Sequence, residues 1–83
     1  MTTSQQPSAS MQPVTIYTKP GCPYCAAAKA DLQGRDIEYV EIDVWSTPGA
    51  MEKLAELTNG EMVVPVLVAD GEVHVGFDGG CPV

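Results

Sequence analysis

The stretch from Val14 to Gly34, VTIYTKPGCPYCAAAKADLQG, fixes much of what the chain can become. Val14–Thr18 is a β-branched and aromatic run of strand length. Lys19-Pro20-Gly21-Cys22-Pro23 is turn sequence, and Tyr24–Gln33 is dense in strong helix formers. Pro23 suits the first turn of that helix and Gly34 its C-terminal cap. A strand that feeds a helix in this way must cross over to reach its next partner. Parallel pairing of the first two strands through a right-handed crossover follows.

The rest of the chain supplies the partners. Glu38–Val44, EYVEIDV, alternates tyrosine, valine and isoleucine with acids over a second strand. Thr47 is placed to cap a second helix with Pro48 at its first position. Ala50, Leu54 and Leu57 then recur at helical spacing, and Asn59-Gly60 stops the helix. Val63–Ala69, VVPVLVA, is the continuous apolar run expected of a strand buried on both faces. Asp70-Gly71 reads as a hairpin turn and Glu72–Phe77 as the returning antiparallel strand. The expected architecture is α/β, in the order β-α-β-α-β-β, with a mixed four-stranded sheet spanning 14–78. Residues 1–13 are polar, uncharged and punctuated by proline, and read as a disordered extension; translation can also begin at Met11. Residues 79–83 carry no helical pattern and read as a flexible tail holding Cys81.

Composition narrows the function. The chain has 83 residues, room for one domain and no more. A hydrophobic content of 45% is ordinary for a folded protein. The net charge is −7, and the four basic residues, Lys19, Lys29, Arg35 and Lys53, form no run. Nucleic acid and anionic membranes, which call for clustered cations, are therefore not expected partners. The N-terminus lacks the basic and apolar segments of a secretory signal, and no apolar run approaches the roughly 20 residues that span a bilayer. A cytoplasmic location is expected. Three cysteines in a short cytoplasmic chain point to redox or metal chemistry rather than a disulfide framework.

The motif that carries chemistry is Cys22-Pro23-Tyr24-Cys25 at the turn from strand to helix. A helix N-terminus offers unpaired N–H groups and positive partial charge to Cys22, and Lys19 adds a cation; both favour a thiolate. Cys25, one turn into the helix, is near enough to attack a mixed disulfide formed at Cys22. Half of a zinc site is the other reading of C-x-x-C. It would need a second ligand pair, and only His74 and Cys81 remain. His74, in Val73-His74-Val75, reads as a solvent-facing strand residue, so no metal ligand is assigned. Tyr24 beside a reactive thiol reads as the wall of a substrate groove, and Trp45 as a packing residue or loop anchor.

IYTKPGCPYC, VVPVLV and VGF together resemble the glutaredoxin family over nearly all of residues 14–78. The resemblance implies a minimal thioredoxin-like fold. It also implies that Pro65 is cis and lies against the nucleophilic Cys22, and that Val64 offers main-chain hydrogen bonds to glutathione. Lys19 and Tyr24 match positions lining the glutathione site, and Gly76, Phe77 and Asp78 fall on the loop that borders it. The departures are Glu61-Met62 where the family carries a basic residue, Gly76-Phe77-Asp78-Gly79 in place of Gly-Gly-x-Asp, and the missing last helix. A carboxylate at Glu61 should weaken docking of anionic glutathione. VADGEVHVGF is similar to glutaredoxin-like electron donors of ribonucleotide reductase, which take electrons from thioredoxin reductase. Cys81-Pro82-Val83 resembles the endings of a glutaredoxin-like group that closes in Sec-x-x or Cys-x-x.

From Gly76, five further residues span at most about 17 Å, and Gly79 and Gly80 ease the backbone back toward the site. Cys81 is thus expected to exchange disulfides with Cys22 or Cys25, with Cys22 preferred, or to relay electrons to a partner. The expected function is a thiol-disulfide oxidoreductase in which Cys22 attacks a protein disulfide, Cys25 resolves it, and Val64 and Pro65 orient the substrate. Glutathione or a thioredoxin-reductase-like flavoprotein would supply electrons to a monomer without a tightly bound cofactor. A metal or iron–sulfur binding module, or a redox sensor worked by the tail, is the alternative.

Overall fold

The computed structural model describes residues 13–83; the expected N-terminal extension, but for Pro13, lies outside the described residues. Eight elements follow one another: β1 (Val14–Thr18), α1 (Pro23–Gly34), β2 (Tyr39–Asp43), α2 (Ala50–Thr58), β3 (Val63–Val64), β4 (Val66–Ala69), β5 (Glu72–Val75) and β6 (Cys81–Pro82). The main sheet has the order β2-β1-β4-β5, with β1 parallel to β2 and antiparallel to β4. The β4–β5 pair is antiparallel and closes through Asp70 and Gly71, both at positive φ, as a two-residue hairpin turn requires.

Alternation along β1 decides which helix each residue meets. Ile16 pairs in register with Leu67 and packs with Ala28 and Leu32 of α1. Its neighbour Tyr17 pairs with Val66 and packs with Ala50 and Leu54 of α2. One strand thus ties two helices to opposite faces of the sheet, as a period of two dictates. The start of α2 differs from the expected one: its cap is Gly49, not Thr47, and the first helical residue is Ala50. Thr47 instead donates its N–H to the Asp43 carbonyl and accepts from Ala50 N–H, so it closes the turn before the helix. Asn59 in the left-handed conformation ends α2 as expected.

The apolar run Val63–Ala69 is not one strand. Pro65 has no N–H to donate and divides it into β3 and β4. Val64, Pro65 and Val66 are buried, whereas Leu67, Val68 and Ala69 are partly exposed. Among the described residues no helix follows β5. The chain turns back instead, and β6 pairs antiparallel with β3 in a second, two-stranded sheet. The tail set apart as residues 79–83 therefore ends in a strand, because the edge of β3 offers main-chain partners that no side-chain pattern announces.

Leu54 is fully buried where α2 meets β1 and β4. Leu54→Ala is expected to cost about 3 kcal/mol, lost contacts plus a cavity, read as a lower urea midpoint at unchanged slope. A cost near zero would mean that α2 is not held by this contact.

Candidate active site

Pro23 begins α1, which makes Cys22 its N-cap residue, with extended backbone at φ −91° and ψ 115°. The Cys22 sulfur therefore stands where the first-turn N–H groups are unpaired, a setting that favours a thiolate. It is joined to Cys81 by a disulfide, with Cα atoms 6.1 Å apart across a sequence separation of 59. Cys25 lies one turn further on, a free thiol and only 2% exposed. Burial pushes the Cys25 thiol above its ordinary value. A main-chain hydrogen bond from Lys19 and the charges of Lys29 and Lys19 oppose that rise, and the Glu41 charge adds to it.

The tail reaches Cys22 along the edge of β3. Cys81 sits opposite Val64 and Pro82 opposite Val63, and Val83 N–H donates to the Met62 carbonyl at 3.0 Å. The Lys19 ammonium donates to the Pro82 carbonyl at 2.7 Å and lies 5.4 Å from the centre of the Trp45 ring. Trp45 thus anchors a loop, with one face given to the cation. The peptide bond between Val64 and Pro65 is cis, and the Pro65 carbonyl accepts from Gly76 N–H at 2.7 Å. Phe77 N–H donates to the Gly79 carbonyl at 2.8 Å, which closes the turn that sends the tail back. Tyr24 covers this turn: a Cβ at Gly79 would stand 2.7 Å from its ring.

Cys22, Cys25 and Cys81 share one cluster with Val64, with Pro65 next in the chain. Lys19 and Tyr24 border the tail through the contacts above, and a Cβ at Gly76 would stand 3.1 Å from the Gly79 carbonyl oxygen. Phe77 does not join them: it packs with Ile16, Ala28 and Leu32 in the other cluster. Asp78 is exposed at positive φ. Sequence reasoning missed a second side of the site. An open cleft of about 640 Å³ is lined by Thr18, Lys19, Cys22, Cys25, Lys29, Glu41 and Asp43, among others. Within it Glu41 Oε2 accepts from Thr18 Oγ1 at 2.8 Å and from Lys29 Nζ at 3.0 Å. The Lys29 contact holds the Glu41 carboxyl below its ordinary value, and Glu41 raises Lys29 in return. The available signal was spacing: Lys29 follows Cys25 by one helical turn and so shares its face. Among the described residues no group of three or more His, Cys, Asp or Glu is placed to hold a metal ion.

The folded chain holds the Cys25 proton more tightly than the unfolded chain does. The corresponding stability is fully present below the ordinary thiol value of 9.0 and is lost as pH rises through the raised folded value. With Cys22 and Cys81 bridged, Cys25 is expected to resist iodoacetamide at neutral pH and to react readily in urea. Equal labelling rates in the two conditions would contradict this account of its burial.

The chain is similar to known proteins in sequence and in fold. A glutaredoxin family model matches residues 14–75. The glutaredoxin of Neisseria meningitidis serogroup B is 40% identical over 67 residues, which cover 80% of this chain and 76% of that one. A glutaredoxin-like 8.6 kDa protein in the rubredoxin operon of Clostridium pasteurianum is 32% identical, over 78% of this chain and 85% of that one. Among solved structures, the glutaredoxin-like NrdH-redoxin of Escherichia coli aligns with a TM-score of 0.71 at 32% identity, covering 80% of this chain and 84% of that one. With its helix-start cysteine, two helices and mixed four-stranded sheet, the chain has a thioredoxin-like fold and belongs to the glutaredoxin family.

Proposed function

We propose that this glutaredoxin-like thiol oxidoreductase reduces protein disulfides with Cys22 as the attacking sulfur. The observation that carries the reading is Cys22 itself, at the N-terminus of α1, already bonded to one sulfur and backed by a second thiol one turn behind. In the first step the Cys22 thiolate attacks a substrate disulfide, forming a mixed disulfide and releasing one substrate thiolate. A second thiolate of this chain, at Cys25 or Cys81, then attacks Cys22 Sγ and frees the other substrate thiolate. The protein ends with one intramolecular disulfide, and the substrate has gained two electrons.

The Cys25 thiol, raised by burial, is a slow attacker until it loses its proton, whereas Cys81 is partly exposed and already lies on Cys22. Val64 and Pro65 orient the bound segment, and Lys19 supports the Cys22 thiolate. Two electrons then return from glutathione or from a thioredoxin-reductase-like flavoprotein. Glu61, an exposed carboxylate next to the β3 edge, favours the flavoprotein because it repels an anionic thiol. No helix among the described residues is long and apolar enough to cross a membrane. The reducing cytoplasm is the compartment that this cycle suits, with the chain acting as a monomer and no tightly bound cofactor.

Cys22→Ser is expected to abolish reduction of a protein disulfide, while Cys25→Ser retains part of it through Cys81. Full activity in Cys22→Ser would move the chemistry elsewhere. Offered separately to the oxidised protein, thioredoxin reductase is expected to restore the thiols faster than glutathione with its reductase. The reverse order would assign the electrons to glutathione.

A further inference from the structure

The disulfide alone would require only that Cys81 reach Cys22; the structure shows far more contact than that. Cys81 and Pro82 form a strand on β3, Val83 N–H reaches Met62, and the Pro82 carbonyl takes the Lys19 ammonium. Every one of these contacts uses the main chain of the tail. The approach is also closer than most residues allow: a Cβ at Gly80 would stand 2.5 Å from Val63 Cγ1 and 3.1 Å from the Val64 carbonyl oxygen. The tail is seated as a docked peptide, not draped over the site.

From this we infer that Cys81-Pro82-Val83 is a tethered thiol ligand. It is bound by strand addition to β3, where it resolves mixed disulfides on Cys22 in place of a soluble thiol and closes that edge to outside peptides. The inference rests on the reading of Cys22 as the attacking sulfur. The exchange is balanced within the chain. The Cys81 thiolate attacks Cys22 Sγ of a mixed disulfide, the Cys22–Cys81 bond forms, and the bond to the outside thiol breaks and releases that thiol as thiolate. No further oxidant enters, because the mixed disulfide already carries the oxidising equivalents. A thiol held on a short flexible linker has an effective concentration on the order of mM, which sets the advantage of the tail over dilute external thiols. The ladder on β3 adds orientation to that proximity.

The same geometry describes what the edge accepts when the tail is absent. It is an extended segment that places a cysteine opposite Val64, offers a carbonyl to Lys19 one residue later, and brings no bulk against Val63 on the residue before the cysteine. The ladder contacts are to backbone, and Val83 adds apolar packing against the larger cluster, so the edge favours an extended cysteine peptide with an apolar residue two places after the cysteine.

Gly80→Ala isolates the docking, because it changes no sulfur and Gly80 does not occupy the left-handed region. The experiment uses the full chain in a Cys25→Ser background and oxidised glutathione as the probe disulfide, with the adduct on Cys22 followed by mass spectrometry. With the native tail, the adduct is expected to give way to the Cys22–Cys81 bond. With Gly80→Ala, resolution is expected to slow by about tenfold or more, since proximity without the fitted strand is all that remains. With Cys81→Ser, the adduct should persist. Resolution as fast in Gly80→Ala as in the native tail would overturn the docked-ligand inference and leave the function of Cys22 standing. Failure of the Cys81→Ser variant to form a mixed disulfide on Cys22, both with oxidised glutathione and with the uncharged 2-hydroxyethyl disulfide, would overturn the functional reading itself.

Discussion

The site depends on where α1 begins. Pro23 forfeits no hydrogen bond in the first turn, and its fixed φ starts the helix there, so Cys22 is left outside as the cap while Cys25 is carried inside. Two cysteines buried in one apolar cluster are thereby given unlike positions, Cys22 at the positive end of the helix and Cys25 one turn inside it. The same cluster that holds them also contains Tyr17, Leu54, Val64 and Val66, which anchor the sheet to α2. In a chain of 83 residues the active site and the larger core cluster are a single body of packed atoms.

Two sides of that body serve different purposes. On the β3 side main-chain pairing and the Lys19 contact join apolar packing of Cys81 and Val83. On the side of the cleft, charge dominates: Lys29, Glu41 and Thr18 form a joined set near Cys25. The Lys29–Glu41 pair is partly exposed and contributes little to stability. Its effect is on the field at Cys25, where the cation lowers and the carboxylate raises the thiol. A chain of net charge −7 keeps two of its four basic residues at this site.

The sequence made the scaffold legible because its signals are local. The β-branched run of β1, the proline at the start of α1 and the Asp70-Gly71 turn each act within a few residues, and each lies where it was read. The start of α2 was misplaced because Thr47 and Gly49 are both acceptable caps, and hydrogen bonding around the turn chose between them. The tail could be read for reach and for its sulfur but not for its pairing. A two-residue strand has no period, and its partner lies 17 positions earlier, Val64 against Cys81. Phe77 followed the family pattern to the substrate loop, yet its ring found apolar cover against α1 instead. The Glu41 side was hidden for a related reason: strand alternation shows which residues share a face, not which cysteine they surround.

Trp45 is the chain's only tryptophan. Its indole carries the same ammonium that grips Pro82, and it is otherwise largely in solvent. When the strand leaves β3, Lys19 loses its carbonyl partner and is free to move off the ring. The surroundings of the single tryptophan are therefore tied, through one lysine, to whether the C-terminus is seated. Emission excited at that indole is expected to change when the strand leaves β3, a readout that needs no label and touches none of the three sulfurs.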